Sequence, residues 1–275
     1  MLLACIFTVQ LWDRGLPDLA HEGFMTQHTA HLAALTSAAT VEELWHLHTD
    51  YMATFGFDRL IYGYTRHKTT TSLGDPQDWV LLTNHDPAYI KVFLGEGMLQ
   101  NAPMVQWALA NDGACSWRWL QDMELSENLS AREQQVVDFN RKMMVTAGYT
   151  ISFKSVSVRT KAAIALTAKP GINQDQVEQI WANHSDALIV ANNVMHLKLL
   201  TLPNSGLRRL TKRQNEVLQW VGDGKTTQDI AVILDLTSAT VEKHLRLARE
   251  ALDVETTAQA VMKAAFYNQM FIVDI

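Results

Sequence analysis

Apolar positions recur along this chain with two periods, and each change of period marks an element. Thr40-Val-Glu-Glu43 has the form of a capping box, in which hydroxyl and carboxylate exchange bonds with backbone N–H groups at a helix start. Val41, Leu44, Trp45, His48, Tyr51 and Met52 then fall on one helical stripe. The runs RLIYGYT from Arg59 and WVLLT from Trp79 predict strands, with Asp75-Pro-Gln-Asp78 as a turn between them. Ser130-Ala-Arg-Glu133 repeats the capping signal before a helix carrying Val136, Phe139 and Met143. YTISFKSVSV and AAIALTA predict a hairpin turning at Arg159-Thr-Lys161, and a long helix follows over about 173–200, with Val177, Ile180, Trp181, Leu188 and Val194 inward. The expectation for residues 1–200 is an α+β domain: one antiparallel sheet with helices on both sides, an α/β/α sandwich.

TLPNSGLRR, residues 201–209, interrupts the periodicity with Pro203, Asn204 and Gly206 and reads as a linker. From 210 to 275 the pattern is short and helical throughout. Thr211-Lys-Arg-Gln214 opens a first helix; a second covers about 227–234. LDLTS is a turn, and a third helix from about 237 buries Val241, Leu245, Ala248 and Leu252. A fourth spans about 257–266. Helix, tight turn and amphipathic helix make a helix-turn-helix.

Gly224-Lys225-Thr226 matches the end of a phosphate-binding loop, which reads G-x-x-x-x-G-K-[ST] after a strand. The required first glycine is Gln219, and EVLQWV before it has helical spacing. The triplet is therefore expected as a turn between helices, with Thr226 or Thr227 capping the second. The exposed N–H groups there and Lys225 would form an anion site for a DNA phosphate.

Composition narrows the class. With 275 residues, 48% of them hydrophobic, the chain can bury the cores of roughly two domains. A net charge of −6 excludes a basic nucleic-acid coat, and the acidity lies before the linker. Two cysteines, Cys5 and Cys115, provide neither a disulfide framework nor zinc spacing, which suits a reducing compartment. No apolar run is long enough for a membrane span, so a cytoplasmic place is expected. MLLACIFTVQLW at the start lacks a basic n-region and reads as an extra packing segment or an early start codon. The histidine pairs His28/His31 and His46/His48 find no carboxylate or cysteine to complete a metal motif. No G-x-S-x-G or similar catalytic signature occurs. No catalytic residue, metal or cofactor is expected.

Removing the buried stripe from the third helix leaves Glu242, Lys243, Arg246, Arg249 and Glu250 outward. Such a helix fits the DNA major groove, where Arg reads guanine edges and Lys or Arg holds phosphates. The candidate DNA-binding residues are Lys225, Thr226, Thr227, Thr240, Glu242, Lys243, Arg246 and Arg249.

The stretch LTKRQNEVLQWVGDGKTTQDIAVILDLTSATVEKHLRLAREALDV, then TTAQAVMKAA, resembles the DNA-binding end of LuxR-type regulators. Leu218 and Gly224 match hallmark positions; Gln214 stands where a glutamate is usual. The resemblance implies base contacts at Glu242 and Arg246, with Glu242 replacing a more common cation. NHDPAYIKVFLGEGMLQNAPMV to ACSWRWL resembles the acyl-homoserine-lactone-binding domain of quorum-sensing regulators. In that register Tyr89 replaces the lactone-binding tryptophan, and Phe93 the acyl-chain tyrosine. Ala102 replaces the aspartate that accepts the ligand amide. Pro103 and Trp117 are retained, and Ser152 stands for a glycine near the hairpin. Tyr62 and Tyr64 of the first strand are added as candidate walls.

The resemblance implies a transcription regulator working as a homodimer on a two-fold operator. Its signal would be small and apolar or otherwise non-standard, since an amide buried against Ala102 goes unpaired unless Asn101 or water compensates. Two readings stand beside it: a ligand-independent regulator with a filled core, and a metabolite-binding enzyme with a fused helical domain.

Overall fold

The computed structural model describes residues 19–69, 72–155, 157–203 and 209–270, with side chains from residue 23 onward. The apolar start of the chain and most of the expected linker lie outside the described residues. The first unit contains α1 (Leu19–Ser37), α2 (Val41–Thr54), β1 (Phe57–Thr65) and β2 (Val80–Thr83). It continues through α3 (Pro87–Gly95), α4 (Met98–Asn101), α5 (Pro103–Ala110), β3 (Gly113–Ser116) and α6 (Arg118–Leu125). It ends with α7 (Ala131–Lys142), β4 (Gly148–Phe153), β5 (Lys161–Ala168) and α8 (Gln174–Leu199). The second holds α9 (Lys212–Gly222), α10 (Thr227–Ile233), α11 (Ser238–Leu252) and α12 (Thr257–Phe266).

The five strands form one sheet in the order β2-β1-β5-β4-β3, and every adjacent pair is antiparallel. Side chains alternate across a strand, so the sheet has two apolar faces and needs two covers. Phe57, Leu60 and Tyr62 of β1 join Leu44 and Met52 of α2 and Leu188 and Met195 of α8 in one core. On the opposite face Ile61 and Ala165 meet Tyr89, Phe93, Trp117, Val136 and Val145. The α/β/α arrangement expected from periodicity is the observed one.

Local signals place the element ends. Thr40 caps α2 by accepting from Glu43 N, but the Glu43 carboxylate bonds to the N–H of Ala39, one residue earlier than a full box requires. Ser130 with Glu133 and Thr211 with Gln214 form reciprocal boxes. Asn173 with Gln176 starts α8 the same way. The hairpin is present, though β4 stops at Phe153, so the second half of YTISFKSVSV belongs to the connection. Asp75-Pro-Gln-Asp78 is a single 3-10 turn over Pro76–Asp78, with the Asp75 carboxylate accepting from Gln77 N. Gly148 cannot carry a side chain: a Cβ there would lie 2.2 Å from the carbonyl oxygen of Leu166 and 3.2 Å from the Trp117 ring.

The second unit closes its own core around Val217, Leu218, Ile230, Val241, Leu245, Ala248, Leu252, Ala260 and Ala264. Gly224 ends α9 in a left-handed conformation (φ +80°), letting the Lys225 N–H reach the Trp220 carbonyl at 2.9 Å. Asp235, at φ +52°, makes the tight turn from α10 to α11. The two units touch where Asp78 of the 3-10 turn meets Lys263 and Tyr267 at the end of α12.

Candidate ligand cavity and DNA-recognition surface

A cavity of about 300 Å³ lies between the sheet and the helices from α3 to α7. That is the lower end of the range for small-molecule sites, which are mostly apolar with a few fixed polar groups. Tyr89 and Phe93 reach it from one face of α3, because positions four apart on a helix are neighbours; their rings stack with centroids 5.2 Å apart. Pro103 begins α5 directly after Ala102, so both stand at a break between helices where the chain passes the cavity. Trp117 enters from the end of β3, beneath α6.

The polar groups of the lining are largely engaged with one another. The Tyr89 hydroxyl donates to Asn140 Oδ1 at 3.1 Å. Trp117 Nε1–H donates to Thr150 Oγ1 at 2.9 Å. Arg141 Nη2 donates to both carboxylate oxygens of Glu124 at 2.9 and 3.1 Å, a bidentate pair that neutralises the one carboxylate in the wall. Hydrogen bonds from Gln134 and Arg141 hold Glu124 below the usual carboxylate range. Lys161 Nζ donates to Asn111 O and Asp112 Oδ1, both at 2.8 Å. Among the lining donors not committed to protein partners are the Nδ2 amide of Asn140, whose oxygen is taken by Tyr89, and the hydroxyl hydrogen of Thr150; the Tyr64 hydroxyl hydrogen and the side chains of Gln121 and Thr146 add to them. His85 stacks on Tyr89 at 4.7 Å, and burial, followed by the Arg59 charge, lowers its pKa to about 4, so it lines the cavity as a neutral ring.

Tyr89, Phe93, Ala102, Pro103 and Trp117 thus converge on one cavity. Three other expected residues are placed differently. Tyr62 points to the opposite face of the sheet, where its fully buried hydroxyl meets His196 Nδ1 on α8 at 2.7 Å. Ser152 donates to the carbonyls of Ala108 and Asn111 at 2.8 and 2.7 Å and fastens β4 to the end of α5, outside the lining. Tyr64 stands at the rim: it borders the cavity, while its hydroxyl accepts from Arg66 Nε at 2.7 Å. Asn101, the suggested substitute for the missing carboxylate, donates to Gly97 O at 3.1 Å and takes no part in the wall. Asn140, Thr150, His85 and Trp79 are lining residues that the sequence reading passed over. The Tyr89 hydroxyl, which needs a partner when buried, was the one signal for Asn140.

In the helical unit α11 presents Glu242, Lys243 and Arg246 to solvent. The Glu242 carboxylate accepts from Thr227 Oγ1 at 2.8 Å, and Arg246 pairs with Glu250 one turn on, at 2.5 Å. Arg249 is half-buried and donates to Thr257 Oγ1 at 2.9 Å, tying α11 to α12. Thr240 shares a hydroxyl contact with the N-cap Thr237 at 2.9 Å, at the start of α11. Thr226, not Thr227, caps α10, and the Asp229 carboxylate folds back to accept from Thr226 N and Oγ1. The N-terminal amide expected to face a phosphate is thereby taken by a neighbouring carboxylate, which leaves Lys225 as the cation at this corner. On α12, Ala260 and Ala264 are buried in the local core, whereas Ala258, Met262 and Ala265 are exposed, with Val261 half-buried beside them.

Among the described residues no group of three or more His, Cys, Asp or Glu is arranged to hold a metal ion, and no helix is long and apolar enough to cross a membrane.

Comparison with known proteins agrees with both halves of this architecture. Residues 40–199 match the family described as "Autoinducer binding domain", and residues 208–264 match "Bacterial regulatory proteins, luxR family". The transcriptional activator protein ExpR of Dickeya dadantii (strain 3937) is 23% identical over 197 residues, spanning 68% of this chain and 76% of its own. The transcriptional activator protein AnoR of Acinetobacter nosocomialis is 23% identical over 244 residues, spanning 85% of this chain and 94% of its own. Among solved structures, the N-acylhomoserine lactone dependent LuxR family transcription factor CepR2 from Burkholderia cenocepacia superposes with a TM-score of 0.51 at 13% identity. It covers 65% of this chain and 96% of its own, a likeness of fold.

Proposed function

The chain belongs to the LuxR family of quorum-sensing regulators, a sequence-specific DNA-binding transcription regulator with an autoinducer-binding domain, and from that membership we propose a finer reading of its sites. Its signal is an uncharged, mainly apolar molecule whose polar group accepts hydrogen bonds without donating them. One observation carries this: buried donors such as Asn140 Nδ2 and the Thr150 hydroxyl stay open in the lining, while its only carboxylate, on Glu124, is closed by Arg141. Ala102 supplies no acceptor. An acyl ester satisfies these donors. An acyl amide also brings an N–H that the closed Glu124 carboxylate does not accept, and leaving it unpaired costs about 1–3 kcal/mol. Calorimetric titration with N-octanoyl-homoserine lactone and with its ester analogue, in which an oxygen replaces the amide N–H, tests the reading. The ester should bind about five- to a hundredfold tighter. Equal or tighter binding of the lactone would overturn it.

The DNA reading is that Arg246 and Lys243 enter the major groove, Glu242 sets base preference, and Lys225 holds a phosphate, inside the cytoplasm where the DNA lies. Ala258, Met262 and Ala265, exposed on α12 with Val261 half-buried beside them, support pairing of two copies on a two-fold operator. Sedimentation should show a dimer at tens of micromolar in the presence of operator DNA; a monomer under those conditions would refute the pairing.

A further inference from the structure

The cavity and the DNA-binding unit share one short piece of chain. Leu73, Trp79, Val80 and Leu81 line the cavity, and Asp78, next to Trp79, carries the contact to α12. The Asp78 carboxylate lies 3.1 Å from Lys263 Nζ and accepts from the Tyr267 hydroxyl at 2.5 Å. His67 Nε2 stands 4.0 Å away. The ion pair is well shielded, with the Asp78 and Lys263 side chains 9% and 14% exposed. Beside it Arg66 lies over the Phe266 ring at 5.8 Å, and Asn268 Nδ2 donates to the carbonyls of Leu200 and Leu202.

The segment is stiff along its length. Pro76 sets the backbone of the 3-10 turn, and the Asp75 carboxylate caps it. The carbonyl of Leu73 accepts from Trp79 Nε1 at 2.8 Å and from Thr65 Oγ1 at 2.7 Å, so the indole facing the cavity is pinned to the other end of the same segment. Gly74 adopts φ +81° pressed against His67, where a Cβ would come within 2.6 Å of the His67 Cβ. A body this constrained does not absorb a push on one side; it shifts as a unit.

We propose that Leu73–Val80 is a strap that couples the filling of the cavity to the docking of the DNA-binding unit, with Trp79 as the sensing side chain and Asp78 as the tie. The geometry is that of a lever: a ligand that displaces the Trp79 indole moves the carboxylate one residue earlier, against Lys263 on α12 and Tyr267 at its C-terminal cap. This rests on the cavity being the signal site, and it deepens that reading by naming how the site acts on its output.

The test uses the full chain without ligand, so its outcome is separable from that of the ligand titration. Trypsin cleavage after Arg66, which lies half-buried over the Phe266 ring in the docked chain, reports undocking, because proteolysis follows the population of the open form when opening is fast. Small-angle scattering reports the accompanying expansion. Asp78→Asn and Lys263→Met should each raise the cleavage rate about tenfold and enlarge the radius of gyration. Together they should do little more than either alone, since both cut one tie.

The decisive pair is on the cavity wall. Trp79→Ala, which removes no atom that touches α12, should also release the unit. Met104→Ala, on the same cavity but outside the strap, should leave cleavage within about twofold of the starting rate. Trp79→Phe keeps an aromatic wall but loses the N–H bond to Leu73 and part of the indole volume; it should release the unit in the same direction, and serves if Trp79→Ala fails to fold. A Trp79 change indistinguishable from Met104→Ala would overturn the coupling. So would an Asp78→Asn chain as protected as the original.

Discussion

Thr227, at the first turn of α10, donates its hydroxyl hydrogen to the Glu242 carboxylate at 2.8 Å, so the scaffold helix holds a residue of the recognition helix in place. Under the proposed DNA reading, this bond presents Glu242 in one preset orientation, suited to accept from a cytosine amino group. Beyond it Arg246 is restrained only by an exposed pair with Glu250, of the kind worth little in water. It can exchange that partner for a base edge at small cost. Arg246→Ala should cost about 1–3 kcal/mol on the operator and relax base preference there. Lys225→Ala should weaken all sequences alike and flatten the salt dependence by about one unit of slope. Binding isotherms on operator and random duplex across a salt series separate the two. Equal loss of non-specific binding from both changes would contradict the division.

Ala102→Asp restores a carboxylate at a buried position of the cavity wall, where Ala102 is 5% exposed. The surrounding lining offers Asn140 Nδ2 and Thr150 as donors, so the new group has partners available and a ligand amide to accept from. Lactone affinity should rise about five- to a hundredfold. The empty protein should lose stability by one to a few kcal/mol, because a carboxylate has been moved out of water. Calorimetry and urea unfolding measure the two effects. Unchanged lactone affinity would show that Ala102 does not face the ligand amide.

Acid should destabilise the sensor domain through histidines buried neutral. His48 donates its Nε2–H to Asn192 Oδ1 at 3.0 Å, and its Nδ1 is buried with no partner, so a second proton has no acceptor to meet. Burial lowers its pKa to about 3, and that of His31, also through burial and then the His28 charge, to about 4. In the unfolded chain both titrate near 6.5. The stability tied to their neutral forms is fully present above that value. It is lost as pH falls from about 6.5 towards 4, because only the unfolded state takes up the protons. The urea midpoint should fall between pH 7 and pH 5, and His31→Leu should reduce the drop. A midpoint flat across that range would refute the assignment.

Gly148→Ala should destabilise the sensor domain by about 1–3 kcal/mol, the usual cost of overpacking. The added methyl meets the Leu166 carbonyl, a backbone atom that cannot swing aside, and the Trp117 ring. Trp117 forms part of the cavity wall, so ligand affinity should fall together with the melting temperature. A loss of stability with affinity preserved would mean that the indole keeps its place and the strand moves instead.

Local chemistry was legible in the sequence. Ser130 and Thr211, each with its box partner three residues on, announce a helix start, and the structure places a helix directly after each. The run β1-β2 and the β4-β5 hairpin followed from alternation and turn residues. The helix α1 escaped because LAHEGFMTQHTAHLAALTS scatters histidine and threonine among its apolar positions and shows no clean stripe. Along the candidate site, the register of the family resemblance found Tyr89 and Phe93, and α3 then puts both on one face. Tyr62 went to the wrong side: a period of two says that neighbours face apart, but not which face carries the cavity. Asn140 and Asp78 were invisible for a further reason. Their partners, Tyr89 and Lys263, are distant in sequence and meet only in the folded chain.

The connection between the units is short, and this bounds what undocking can do. Leu202 is buried in the sensor core, and Leu210 packs on the core of the DNA-binding unit. Fully stretched, the chain joining them reaches roughly 30 Å. A released DNA-binding unit is therefore leashed within about its own diameter of the surface it left. Its effective concentration there stays in the millimolar range. A tie of modest strength is then enough to keep the unit home, and a ligand worth only a few hydrogen bonds is enough to shift the balance.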